Sequence, residues 1–218
     1  MNRTITKLSA IFFIFLLFQF SCKQEEKESS AKDEANLPIE SIHSQKGSNS
    51  QKTQVFTTKS GKTFELTEHS MEDGIFEFYL VPKGFEFSKD TLIISDADSL
   101  SEAFLSDLDN NQFEEIYLIT TSVGSGSYGN IYGYASNGDK SVSPIYLPPV
   151  NEKDLAPGAL FEGYMGHDSI YLEQGKLMRK FPIYLKDDPN CCPSGGEKTI
   201  TYALKAGEAS WKLEAAKQ

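Results

Sequence analysis

Residues 124–129 read GSGSYG, and Gly124, Gly126 and Gly129 satisfy the G-x-G-x-x-G spacing with which a backbone loop cradles a dinucleotide pyrophosphate. That chemistry also needs a helix whose N-terminus faces the phosphates and an acidic residue about twenty positions further on. The segment after Gly129 is NIYGYA, aromatic and β-like. Cofactor binding is therefore not expected here, and no cofactor is expected elsewhere. The six residues read instead as the connection between two neighbouring antiparallel strands, EIYLITT (115–121) and NIYGYA (130–135). Glycines there permit a close backbone approach and a narrow finger with Ser125, Ser127 and the ring of Tyr128 at its tip. Such a finger suits insertion into another molecule's cleft.

Three other constellations could carry chemistry. In DLDNNQFEE (107–115), Asp107, Asp109 and Asn111 alternate as calcium ligands do. The EF-hand pattern fails, because Gln112 stands where the turn glycine belongs and Leu118 where the bidentate glutamate belongs. A solvated Asx-rich turn is the expectation, with a cation in some other geometry as the alternative; no metal site is assigned. Glu114 and Glu115 are adjacent, so on a strand their carboxyls point to opposite faces and cannot share one substrate. His167 and Asp168, with Ser125 or Ser127, supply the residue types of a nucleophile, base and orienting acid. The serine elbow G-x-S-x-G followed by a helix is missing, so no catalysis is expected. Cys191 and Cys192 are too far in sequence from Cys22 to be read with it, and two thiols without nearby histidines fall short of a zinc set. They pair with each other as a vicinal disulfide or stay reduced.

The N-terminus sets the compartment. Arg3 and Lys7, the apolar run AIFFIFLLF and then Ser21-Cys22 make a charged, apolar, small series of the secretory type, too short to span a bilayer. Ser21-Cys22 resembles the lipobox of bacterial lipoproteins, which implies a lipoprotein signal peptide over residues 1–21, Cys22 as the lipidated residue and residues 22–53 as an acidic tether anchored to the outer membrane, facing the periplasm or the cell surface; a plain secretory peptide with Cys22 incidental is the alternative. The tether has too little apolar surface to offset its chain entropy, and about thirty flexible residues reach on the order of 30 Å. Loss of Arg3 and Lys7 takes the net charge from −10 to −12. That balance argues against nucleic acid and anionic lipid as ligands and is compatible with a basic protein partner.

From Gln54 the pattern changes to short β-type runs separated by Gly, Asn, Asp and Pro. QVFTT and TFEL flank KSGK as a hairpin, and IFEFYLV alternates Phe76, Phe78 and Leu80 with Glu77 and Tyr79. TLIIS, EIYLITT, NIYGYA, VSPIYL, SIYLE, KLMRKFPIY and TITYAL come next, while SLSEAFLSDL (99–108) fits either helix or strand. With no long amphipathic helix and no crossover helices, the expectation is an all-β antiparallel sandwich or flattened barrel of about eight to ten strands. It would occupy residues 54–213, with 214–218 a C-terminal tail.

Three blocks, DLDNNQFEEIYLITTSVGSGSYG, GYMGHDSIYLEQGKLMRKFPIY and DPNCCPSGGEKTITYAL, resemble in order the bacterial periplasmic inhibitors of invertebrate-type lysozyme, over about Phe56 to Leu204. The resemblance implies a β-sandwich, no catalysis, and a loop that enters the lysozyme cleft with Ser125 and Tyr128 as the inhibitory pair, shaped by Gly126 and Ser127. It also implies a homodimer. The lipid anchor, the acidic tether and the Cys191-Cys192 pair depart from the family's simple leader and small loop residues. A second reading is an envelope lipoprotein that binds glycan or protein without inhibiting anything.

Overall fold

The computed structural model describes residues 52–207 and 210–217, within the unit Gln45–Gln218. The signal peptide, Cys22 and the tether up to residue 51 lie outside the described residues. In chain order the strands are β1 (Lys52–Thr57), β2 (Thr63–Ser70), β3 (Phe76–Lys83), β4 (Leu92–Ala97), β5 (Ser99–Ser106) and β6 (Glu115–Thr121). They continue as β7 (Gly129–Asn137), β8 (Ser141–Tyr146), β9 (Ser169–Glu173), β10 (Lys176–Pro182), β11 (Glu197–Ala206) and β12 (Trp211–Lys217). A single helical turn, α1 (Glu152–Leu155), is capped by Asn151, whose side chain accepts from the Lys153 N–H.

The fold is all-β. Strands β1 to β4 form a four-stranded sheet, and the other eight form one sheet in the order β5-β6-β7-β8-β12-β11-β10-β9. The larger sheet curls into a half-barrel. Inside the curl, Tyr117, Ile119 and Ile131 pack with Leu177, Phe181, Ile200, Tyr202 and Leu213 from its other half. Outside it, Ile116 and Leu118 pack against Phe64, Leu66, Phe78, Leu80 and Ile94 of the four-stranded sheet. Strand β6 is thus covered on both faces, which is why it is buried from Glu115 to Thr120 and carries the unbroken apolar run Ile116–Ile119 where a half-solvated strand would alternate.

The all-β expectation holds, with more strands and one parallel pair added to it, and the C-terminal boundary is corrected. The strands number twelve among the described residues, and the large sheet is mixed, because β8 and β12 pair in parallel through Ile145↔Trp211 and Tyr146↔Lys212. The supposed tail after residue 213 is strand: β12 runs to Lys217 and pairs with β11 along its length. WKLEAAK is built of good helix formers, but pairing on both sides and burial of Leu213 override that preference. SLSEAFLS resolves as strand β5, with a register shift between Leu100 and Glu102.

Candidate functional site

Residues 122–128 connect β6 to β7 at one end of the half-barrel. The Ser122 N–H donates to the Tyr128 carbonyl at 2.9 Å, and the Tyr128 N–H donates to Ser122 Oγ at 2.8 Å, closing the neck of the loop. Above the neck, the Ser127 N–H donates to the Gly124 carbonyl at 3.0 Å in a tight turn. Ser125 is exposed, and Tyr128 keeps 48% of its surface open. Gly126 and Ser127 are half-buried. Among the described residues no hydrogen bond engages the hydroxyl of Ser125 or of Tyr128, so both are open to a visitor.

Two further loops hold the finger from the side. The His167 N–H donates to the Gly126 carbonyl at 2.6 Å, and Asn190 Nδ2 donates to the Ser125 carbonyl at 3.2 Å. This packing explains Gly126, Gly129 and Gly166. A Cβ on Gly126 would lie 2.4 Å from Tyr128 Cε2, and one on Gly129 would lie 2.7 Å from Ile170 Cδ1. Gly166, at φ +92°, passes so close that a Cβ there would sit 2.1 Å from the Gly126 carbonyl oxygen. A Cβ on Gly124 would meet open space. Two of the three glycines of the G-x-G-x-x-G spacing, Gly126 and Gly129, are thus required by close contacts within a β connection, and Gly129 itself opens strand β7 where a phosphate-binding loop would open a helix.

Beneath the finger lies a buried polar cluster that the sequence reading missed. Asp168 Oδ2 accepts from the Gly129 N–H and from the Tyr164 hydroxyl, both at 2.7 Å. The Arg179 guanidinium donates to the Gly129 carbonyl at 3.0 Å and forms an ion pair with Asp168 at 3.7 Å, with both side chains almost fully covered. Burial, with the neighbouring Asp168 charge, pushes the Tyr164 hydroxyl well above its ordinary pKa and keeps it a donor. Burial likewise pushes Tyr202, under the same guanidinium, up to about 12. The Tyr128 ring stands edge-on to Tyr164 at 5.9 Å between centroids. One signal was legible: in KLMRKFP, Arg179 falls in the inward row of Leu177 and Phe181, where an arginine needs a buried partner.

His167 and Asp168 are not arranged as a base and its orienting acid. His167 engages the finger through its backbone N–H, its ring stacks near Tyr184 at 6.0 Å, and the hydrogen bonds of Asp168 go to Gly129 and Tyr164. Cys191 and Cys192 are joined as a disulfide in the loop that carries Asn190. Asp188 anchors that loop by accepting from the Ser194 hydroxyl, the Ser194 N–H and the Leu185 N–H, and the Ser194 hydroxyl leads in holding its carboxyl below the usual range.

At the opposite end of β6, Asp107 accepts from the N–H groups of Asn111 and Gln112, Asp109 accepts from the Asn111 N–H and side-chain amide, and Asn111 Oδ1 accepts from the Phe113 N–H. The Asx-rich turn is present. Glu114 and Glu115 diverge: Glu114 accepts from the Lys59 N–H at the surface, while Glu115 turns inward beside Asp107 and Asp109. Comparison with protein-family models, with curated proteins and with solved structures finds no match.

Proposed function

We propose that the chain is a proteinaceous inhibitor of invertebrate-type lysozyme that seats the Ser125–Tyr128 finger in the glycosidase cleft and so protects peptidoglycan. The observation that carries this reading is the combination of an open hydroxyl and a half-open ring on a loop whose backbone is fixed by His167 and Asn190. A retaining glycosidase holds two carboxyl groups about 5 Å apart in a groove. The Ser125 hydroxyl donates to one of them, and the Tyr128 ring covers a sugar subsite wall while its hydroxyl meets a polar group. A finger fixed before binding loses little ordering entropy on insertion.

The anchor at Cys22 would place the inhibitor at the outer membrane, where an incoming lysozyme must pass. The acidic chain would attract a basic enzyme.

The test is an inhibition panel with lysozymes of invertebrate, chicken and goose type. Selective inhibition of the invertebrate type is the expected result. No inhibition of any class, with binding on a glycan array instead, would replace this function with that of a binding module.

A further inference from the structure

Glu115 opens β6 with its side chain wholly buried. Its Oε2 accepts from the Leu108 N–H at 2.9 Å and from the Tyr117 hydroxyl at 3.3 Å, whereas Oε1 is buried with no hydrogen-bond partner. One carboxylate oxygen from each of Asp107, Asp109 and Glu115 lies within 4.8 Å of the other two. Among the described residues no lysine or arginine forms an ion pair with any of the three. The three carboxyls thus stand together with no positive side chain on them among the described residues, and one oxygen of the buried Glu115 carboxyl is left without a partner.

We propose that Asp107, Asp109, Asn111 and Glu115 form a calcium site at the entrance to β6. An ion with oxygen ligands 2.3–2.6 Å away can bridge oxygens up to about 5 Å apart, which matches the observed cluster. Counted from Asp107, the four residues stand at positions one, three, five and nine of a calcium loop. Glu115 at position nine, carried inward by the strand, takes the place of the glutamate that the EF-hand pattern puts at position twelve. The turn at Gln112 has φ +76°, the conformation for which the EF-hand uses glycine. The carboxylate oxygens that accept backbone N–H groups retain lone pairs for a metal. Three carboxylates, with Asn111 Oδ1 keeping a lone pair beside its bond from the Phe113 N–H, offer part of the oxygen shell calcium takes and leave the rest to backbone carbonyls and water, whereas magnesium demands a stricter octahedron. Bound there, the ion would tie the 107–113 loop to β6, at the far end of that strand from the finger.

The test uses the purified full chain, stripped with EDTA and desalted, then titrated with CaCl2 or MgCl2 by calorimetry and thermal melting. Calcium is expected to bind one saturable site with a Kd on the order of 10⁻⁵ to 10⁻³ M and to raise the melting temperature. Asp109→Asn should weaken binding at least about tenfold, the usual cost of losing an anionic ligand. Glu115→Gln should abolish the calcium-dependent rise in melting; if that variant does not fold, Asp109→Asn decides. Absence of heat and of any melting shift up to about 10 mM CaCl2, an equal response to MgCl2, or an Asp109→Asn variant that binds like the parent would each overturn the proposal.

Discussion

Tyr128 holds its place because two glycines leave room for it. At Gly126 the obstacle to a side chain is the Tyr128 ring itself, which can swing outward, whereas at Gly166 it is the Gly126 carbonyl, which belongs to the backbone. The two substitutions therefore separate stability from binding. Gly166→Ala must shift one loop and also strains a left-handed residue, so a loss of about 2–4 kcal/mol in urea unfolding is expected together with loss of inhibition. Gly126→Ala should leave the unfolding free energy within about 1 kcal/mol of the parent yet impair inhibition, because only the ring is displaced. If Gly126→Ala inhibits as well as the parent, the orientation of the ring is not what the partner reads. Gly126 and Gly129 were visible in the sequence, but their reason was not: Gly126 is crowded by the Tyr128 ring, whose placement the fold decides, and Gly129 by Asp168 and Ile170, about forty positions away.

At the scale of elements, β6, β7 and β10 fix the finger's base. Asp168 ties the first residue of β7 to the loop before β9, and Arg179 ties the same residue to β10. Asp168→Ala removes an acceptor from Gly129 and Tyr164 and leaves Arg179 buried without its counter-charge, which costs about 3–5 kcal/mol in chemical denaturation. Asp168→Asn, still an acceptor, should recover part of that loss; a neutral Asp168→Ala would show that the cluster does not support the fold. Most of these strands were legible because period-two alternation and turn residues are local signals. β12 was not, since WKLEAAK favours helix on its own and becomes strand only by docking between β8 and β11. Arg179 was legible as an anomaly in an apolar row, but its partner Asp168 stands beside His167 in sequence and so suggests a different pairing.

For the molecule as a whole, the half-barrel brings three loops to one end, 122–128, 163–168 and 185–195, and the motifs legible in the last two, His167-Asp168 and Cys191-Cys192, do not point to the first. The other two contribute a backbone N–H from His167 and an amide from Asn190, and nothing in their residue types announces a contact with Ser125 or Gly126. The same finger carries Val123, with Met165 and Leu185 on the flanking loops, all exposed, so the end of the barrel offers apolar area around the tyrosine. Interfaces of this form depend on a central aromatic anchor while the surrounding contacts mainly exclude water. The central claim is tested most directly by titration calorimetry of the parent and of Tyr128→Ala against an invertebrate-type lysozyme. The parent should bind one to one, and the variant should lose about 2 kcal/mol or more, roughly thirtyfold in Kd, with its melting temperature unchanged. Equal affinity of the two proteins, or no binding by the parent, would contradict the finger's role.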